Sequence, residues 1–146
     1  MPDSCFNLER AWVRKTKRNY AKFYWAIDIH DVIIEGKFSK NNEGKEFYPD
    51  AKEVLQFLSS REDMVIMLWT SGHMQPTNGI WHWLSENNIK VKYVNENPEM
   101  PNDALCDFST KFAFDVMLED KAGFVGETDW TIIKNKLKEL GIWKTE

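Results

Sequence analysis

The chain has 146 residues, 42% of them hydrophobic and 29% charged, with a formal net charge of −4. That length suits one domain able to bury about 70% of its unfolded surface, and the balance is that of an ordinary soluble globular protein. The acidic net charge gives no global argument for nucleic acid or an anionic membrane as partner, and no apolar run approaches the ~20 residues that span a bilayer. Cys5 and Cys106 are the two cysteines and show no CxxC spacing, so neither a zinc site nor a structural disulfide is expected. Residues 1–4 lack the basic start and apolar core of a secretion signal. A reduced, cytoplasmic protein is the expectation.

In chain order, residues 4–17 read as a helix with an imperfect apolar face of Phe6, Leu8, Ala11 and Trp12, suited to cover one edge or face of a sheet. Arg10, Arg14, Lys15, Lys17, Arg18 and Lys22 make this end basic, as a solvated face commonly is. The extension 1–22 is expected to pack on a core domain spanning 23–146. Residues 23–29 form the first strand. The polar stretch 32–47, with Gly36 and Gly44, suits a hairpin or flap. Pro49 and Asp50 open a helix to about residue 60, with Val54, Leu55, Phe57 and Leu58 on its inner side. Proline in a first turn loses no intrahelical hydrogen bond.

Residues 64–69 are almost continuously apolar, as in a strand covered on both faces. A helix over 77–87 and a shorter strand over 89–94 follow. Residues 95–110 contain two prolines and several turn formers and read as a long loop with one helical turn at most. A buried strand is predicted over 114–118, and Thr128 is placed to cap a last helix that runs to Leu140 and stops at Gly141. Strands alternating with helices predict a three-layer, Rossmann-like α/β fold with a mostly parallel central sheet and helices on both faces. The seven tryptophans are expected mainly as packing: Trp25 and Trp69 in strands, Trp12, Trp81, Trp83 and Trp130 in helices.

Each of three strands ends on chemically useful groups. The first delivers Asp28 and His30, the second Thr70 and Ser71, and the third Glu119 and Asp120, with Lys111 just before it. In a parallel sheet these ends share one side, where ligands of open α/β sheets bind. Asp28 and Asp120 make a hard oxygen site suited to Mg²⁺. Thr70 can donate to a phosphate oxygen, and Lys111 can offset charge on nucleophile and phosphoryl group. Phosphoryl transfer is the chemistry this set points to, and a carboxylate can serve it as nucleophile.

The same residues resemble the haloacid dehalogenase (HAD) superfamily of phosphohydrolases. Its first motif, an apolar strand followed by Asp-x-Asp-x-Thr/Val, is matched by Asp28-Ile29-His30-Asp31-Val32. Its second, a strand ending in Thr or Ser, is matched by Leu68-Trp69-Thr70-Ser71-Gly72. Lys111 stands for the third, and Met117-Leu118-Glu119-Asp120 for the fourth. The resemblance covers residues 23–140. It implies Asp28 as nucleophile and metal ligand, the His30 carbonyl and Asp120 as further ligands, Glu119 as support of the Mg²⁺ site or partner of a basic neighbour, and Thr70, Ser71 and Lys111 as phosphoryl binders. Lys121 and Lys90 compete with Lys111 for its role. The departure is His30, where the family usually carries aspartate to protonate the leaving group. Imidazole, with an ordinary pKa of about 6.5, can do that work. Asp31 stands where glycine is common.

Members of this superfamily often gate their site with an inserted cap domain. Here the intervals from Asp28 to Thr70 and from Thr70 to Lys111 are filled by the elements above, so no cap is expected. An open site admits a bulky phosphorylated substrate such as a phosphoprotein, a phosphosugar head or a nucleic-acid end, unless a homo-oligomer partner supplies a lid. The expected function is a Mg²⁺-dependent phosphomonoester phosphatase acting through an aspartyl-phosphate. The alternative is a catalytically weakened module that binds a phosphorylated ligand or protein partner. A third reading, a nucleic-acid-end phosphatase that uses the basic N-terminal cluster, has the acidic net charge against it.

Overall fold

A computed structural model describes residues 7–35, 46–71 and 74–144, with the backbone alone for 74–78. Its elements run α1 (Leu8–Lys17), β1 (Phe23–Asp28), α2 (Ala51–Ser59), β2 (Met64–Trp69), α3 (Met74–Glu86), β3 (Tyr93–Val94), β4 (Val116–Leu118), a 3₁₀ turn (Asp120–Ala122) and α4 (Gly126–Glu139). The four strands form one sheet in the order β3-β2-β1-β4, parallel at every pairing. This is the α/β architecture that the alternation of patterns predicts.

The strand order dictates how the layers are filled. Crossovers between parallel strands are nearly always right-handed. Stepping outward from β1 to β2 to β3 therefore puts α2 and α3 on one face. The return step to β4 runs in the opposite direction and must pass over the other face. The buried residues divide accordingly. Phe23, Trp25 and Ile27 of β1 and Met64, Ile66 and Leu68 of β2 share one core with residues of all four helices, including Leu8, Leu55, Leu84 and Trp130. Ala26, Val65 and Met67 point the other way and are covered by Phe112 and Phe114 of the β3–β4 connection. Among the described residues no helix contributes to that second cluster, so an irregular segment forms the third layer in place of the helices expected on that face.

Several local expectations shift for identifiable reasons. Val32, Ile33 and Ile34 are fully buried in the main core, and Ile34 pairs antiparallel with Phe47, as the base of the expected hairpin would. The Ile29 carbonyl accepts hydrogen bonds from the amides of all three, which folds the chain back under the sheet end. The flap tips Gly36 and Gly44, and Cys5, lie outside the described residues; Cys106 is a free, exposed thiol. Helix α3 begins at Met74, ahead of the predicted residue 77, because Pro76 then falls in the first turn. Strand β4 begins at Val116 because the Asp115 side chain takes the place of a ladder carbonyl, accepting the Tyr24 N–H at 2.7 Å. Thr128 does not cap α4. Asp129 does that work, its carboxylate accepting the Val125 N–H at 2.8 Å, while the Thr128 hydroxyl donates to Asp129. Gly141, at φ 76, ends the last helix as expected. Helix α1 turns Leu8, Ala11 and Trp12 inward and leaves Arg10, Arg14, Lys17 and Arg18 exposed.

The return segment is fastened by one carboxylate. Glu99 accepts hydrogen bonds from Lys22 Nζ at 2.8 Å, Tyr93 Oη at 2.6 Å and Tyr24 Oη at 3.3 Å, and Lys92 Nζ lies 3.7 Å away. Burial pushes its carboxyl up, but the Lys22 and Tyr93 bonds more than reverse this and hold it at about 2. A carboxyl lowered in the folded state stabilises above its unfolded pKa and loses that contribution as pH falls through the folded value. Glu99→Gln is therefore expected to lower stability by about 2 kcal/mol at pH 7. In chemical denaturation the difference from wild type should shrink as pH falls from about 4.5 to about 2.

Candidate functional site

The strand order reverses at β1: the chain leaves it toward β2, while β4 lies on its other side. The carboxyl ends of β1 and β4 thus flank the crevice where open α/β sheets bind ligands. Asp28 is the last residue of β1, and Glu119 and Asp120 directly follow β4. Their ligand atoms lie within 4.8 Å of one another, all partly buried. One Asp28 oxygen accepts the Ile29 N–H at 2.8 Å, which fixes the carboxylate at the strand tip.

Three carboxyl groups this close cannot all ionise without penalty. Burial pushes Asp28 up to about 8, against the Ile29 N–H and helped by hydrogen bonding and charge from Glu119 and by Asp120. Asp120 moves down, chiefly through its hydrogen bond with Glu119. Among the described residues no lysine or arginine forms an ion pair with Asp28, Glu119 or Asp120. Further negative charge surrounds them, since Asp31, Glu35, Glu127 and Asp120, after burial and Glu127 first, raise the nearby Tyr48 phenol to about 12. Clustered hard oxygens with no cationic partner among the described residues fit a divalent ion of the Mg²⁺ type, which takes one or two carboxylates together with waters and phosphate oxygens.

His30 lies two residues beyond the strand, half-buried, on the tight turn that the Ile29 carbonyl anchors. Its imidazole is not part of the three-carboxylate group. Asp31 adopts φ 63, the left-handed conformation that glycine takes freely and aspartate tolerates, and donates its N–H to the Ile34 carbonyl at 2.6 Å.

Thr70 follows β2, half-buried, and Ser71 beside it is exposed. The Thr70 backbone is clamped by Asn95: the Thr70 N–H donates to Asn95 Oδ1 at 2.8 Å, and Asn95 Nδ2 donates to the Thr70 carbonyl at 2.7 Å. Asn95 itself takes φ 56 directly after β3, so its side chain continues the sheet ladder where the strand stops. Because the Thr70 amide is committed, a phosphate oxygen would be met by its hydroxyl. Asparagine at a strand end, tolerant of positive φ, is the signal that marks this clamp.

Lys111 is exposed and takes part in no hydrogen bond or ion pair among the described residues. It stands at the carboxyl end of the sheet, since its neighbour Phe112 packs on Trp69 with ring centroids 5.5 Å apart. Lys121 is also at this end, exposed on the 3₁₀ turn. Lys90 belongs to the opposite end, in a cavity with Lys22, Met64 and Lys92 at the strand starts, and is thereby removed from the competition. Compared with known proteins, the chain matches no family model, no curated protein and no solved structure. No helix of the described residues is long and apolar enough to cross a membrane.

A carboxyl raised in the folded state makes stability fall as pH rises from its unfolded toward its folded pKa. Without divalent cations, the Asp28 contribution should therefore fall between about pH 4 and pH 8. Asp28→Asn is expected to raise the cation-free melting temperature by a few degrees at pH 8, roughly 2–4 °C per kcal/mol at this size. Mg²⁺ bound by wild type at pH 7 should displace about one proton, read by calorimetry in buffers of different ionisation heat. Asn95→Ala should speed hydrogen exchange of the Thr70 amide about tenfold and leave the buried amides of β1 unchanged.

Proposed function

We propose that this protein is a phosphohydrolase of the HAD type, a Mg²⁺-dependent phosphomonoester phosphatase with Asp28 as nucleophile. One observation carries the reading. Asp28 at the end of β1 lies within ligand distance of Glu119 and Asp120 at the end of β4, at the switch point of a parallel sheet. The strand-end pattern of the sequence supplies the order of the parts, and the Asn95 clamp fixes the Thr70 backbone at the neighbouring strand end.

In this reading Asp28, Asp120, Glu119 and the His30 carbonyl would hold the cation. When bound, it offsets the negative charge of nucleophile and phosphate. Asp28 attacks phosphorus while the bond to the ester oxygen breaks, and His30 gives that oxygen its proton. Water then attacks the aspartyl-phosphate, His30 takes a proton from it, and the bond from phosphorus to Asp28 breaks to restore the carboxylate. The Ile29 N–H keeps one Asp28 oxygen in place throughout. Thr70 and Ser71 receive the phosphoryl oxygens, and Lys111, or Lys121 at the same end, neutralises them from solvent. No cap is part of the proposal, so the leaving group faces the segment that follows β3.

Release of p-nitrophenol from p-nitrophenyl phosphate should require Mg²⁺. It should vanish in Asp28→Asn and fall about 100-fold in His30→Ala, the size of a lost general acid. Persistent turnover in Asp28→Asn would refute the nucleophile. Absence of turnover in wild type across pH and metals would leave the binding-module alternative, which the histidine in the acid position favours.

A further inference from the structure

Side chains alternate across a strand, so Asp28 faces the same side of the sheet as Tyr24 and Ala26, the side covered by the 95–115 segment. Trp69 is the register partner of Asp28 on β2 and follows Val65 and Met67 onto that same side. Neighbouring strands lie about 4.8 Å apart, which puts the indole directly beside the proposed nucleophile. It is 36% exposed, although every other residue of β2 is buried. Its ring is backed by Phe112, and Phe112 in turn by Phe114 at 5.8 Å. The strand end therefore carries a partly exposed aromatic surface supported by Phe112.

A cavity of about 300 Å³ adjoins this surface through Phe112, and Asn95, which clamps Thr70, also lines it. Its further wall includes Asn102, Phe108, Ser109 and Thr110, and Glu96 is the one charged residue among those lining it. That volume is at the lower end of small-molecule sites, and the near-neutral wall disfavours a second phosphate on the leaving group. The amides that shape it are already bonded: Asn95 to Thr70, Asn102 to Ser109 and to the Phe108 N–H, Asn97 to the Ala113 carbonyl. They give the cavity form without reading a particular edge of a ring.

We infer that the substrate is a phosphomonoester of a nucleoside, its base lying against Trp69 and in the adjoining cavity, with the ring required and its identity barely discriminated. The inference rests on the phosphomonoester reading above. A ribose between phosphate and base gives the ring a longer reach from phosphorus than a simple aryl ester has, toward the cavity that Phe112 also lines. Free mononucleotide and the terminal nucleotide of a strand present the same chemistry.

Binding to the whole protein with Mg²⁺, followed by calorimetry and tryptophan quenching, tests this with AMP, UMP, ribose 5-phosphate, phenyl phosphate and a 5′-phosphorylated oligonucleotide. AMP and UMP should bind within about threefold of each other and roughly 10–100-fold tighter than ribose 5-phosphate, the range of one stacked base. Trp69→Leu, which keeps apolar packing on Phe112, should bring AMP down to the ribose 5-phosphate level. Trp69→Phe should keep most of the preference, and Tyr20→Ala, an exposed aromatic at the other end of the sheet, all of it. The oligonucleotide binding as AMP does assigns strand ends as well as free nucleotides; weaker binding assigns free nucleotides alone. Equal affinity for AMP and ribose 5-phosphate, phenyl phosphate binding as tightly as AMP, or an unchanged Trp69→Leu would overturn the inference. Ring preference without hydrolysis of any ester would sink the phosphatase reading and uphold ring recognition. Hydrolysis without ring preference would do the reverse.

Discussion

The handedness of a single crossover organises this molecule. Two steps in one direction build β1, β2 and β3 with their helices on one face, and the return to β4 must cross the other. That reversal opens the crevice between β1 and β4 and brings Asp28 to Glu119 and Asp120, which are some ninety positions away in sequence. It also lays the 95–115 segment over the side of the sheet that Asp28 faces, so one topological constraint supplies both the carboxylates and the wall beside them.

The two ends of the sheet differ in how charge is treated. At the strand starts carboxylates are paired: Glu99 with Lys22 and Lys92, and Asp63 with Arg61, whose guanidinium holds it below the ordinary range despite burial. At the strand ends Asp28, Glu119 and Asp120 stand together with no such partner among the described residues, and Asp28 is held up to about 8 by burial and its neighbours. The paired end stabilises the fold. The unpaired end weakens it in the absence of a cation, as sites arranged for charge chemistry commonly do.

The sheet was legible where a strand is buried on both faces, because an uninterrupted apolar run such as 64–69 has few other uses. It was less legible at edges. Strand β4 shortens because Asp115 substitutes a side-chain oxygen for a backbone one, and β3 shortens to two residues and is continued by the Asn95 side chain. Propensity and periodicity do not register a side chain that imitates backbone. The burial of Val32, Ile33 and Ile34 was missed because three apolar residues beside a polar stretch were averaged into it, although they anchor the His30 turn under the strand end.

By itself the sequence determined the α/β alternation, the residues that end each strand, and hence the inventory of the candidate site: Asp28, His30, Thr70, Ser71, Glu119 and Asp120. Those follow from local rules of pattern and chain order. The tertiary structure alone decided which of them meet. It brought three carboxylates within 4.8 Å, kept the His30 imidazole out of that group, left Lys111 exposed and moved Lys90 to the far end. It also gave Trp69, which a strand pattern marks only as bulk, a register beside Asp28. Distances between groups far apart in the chain depend on strand order and register, which are set by how the whole core packs.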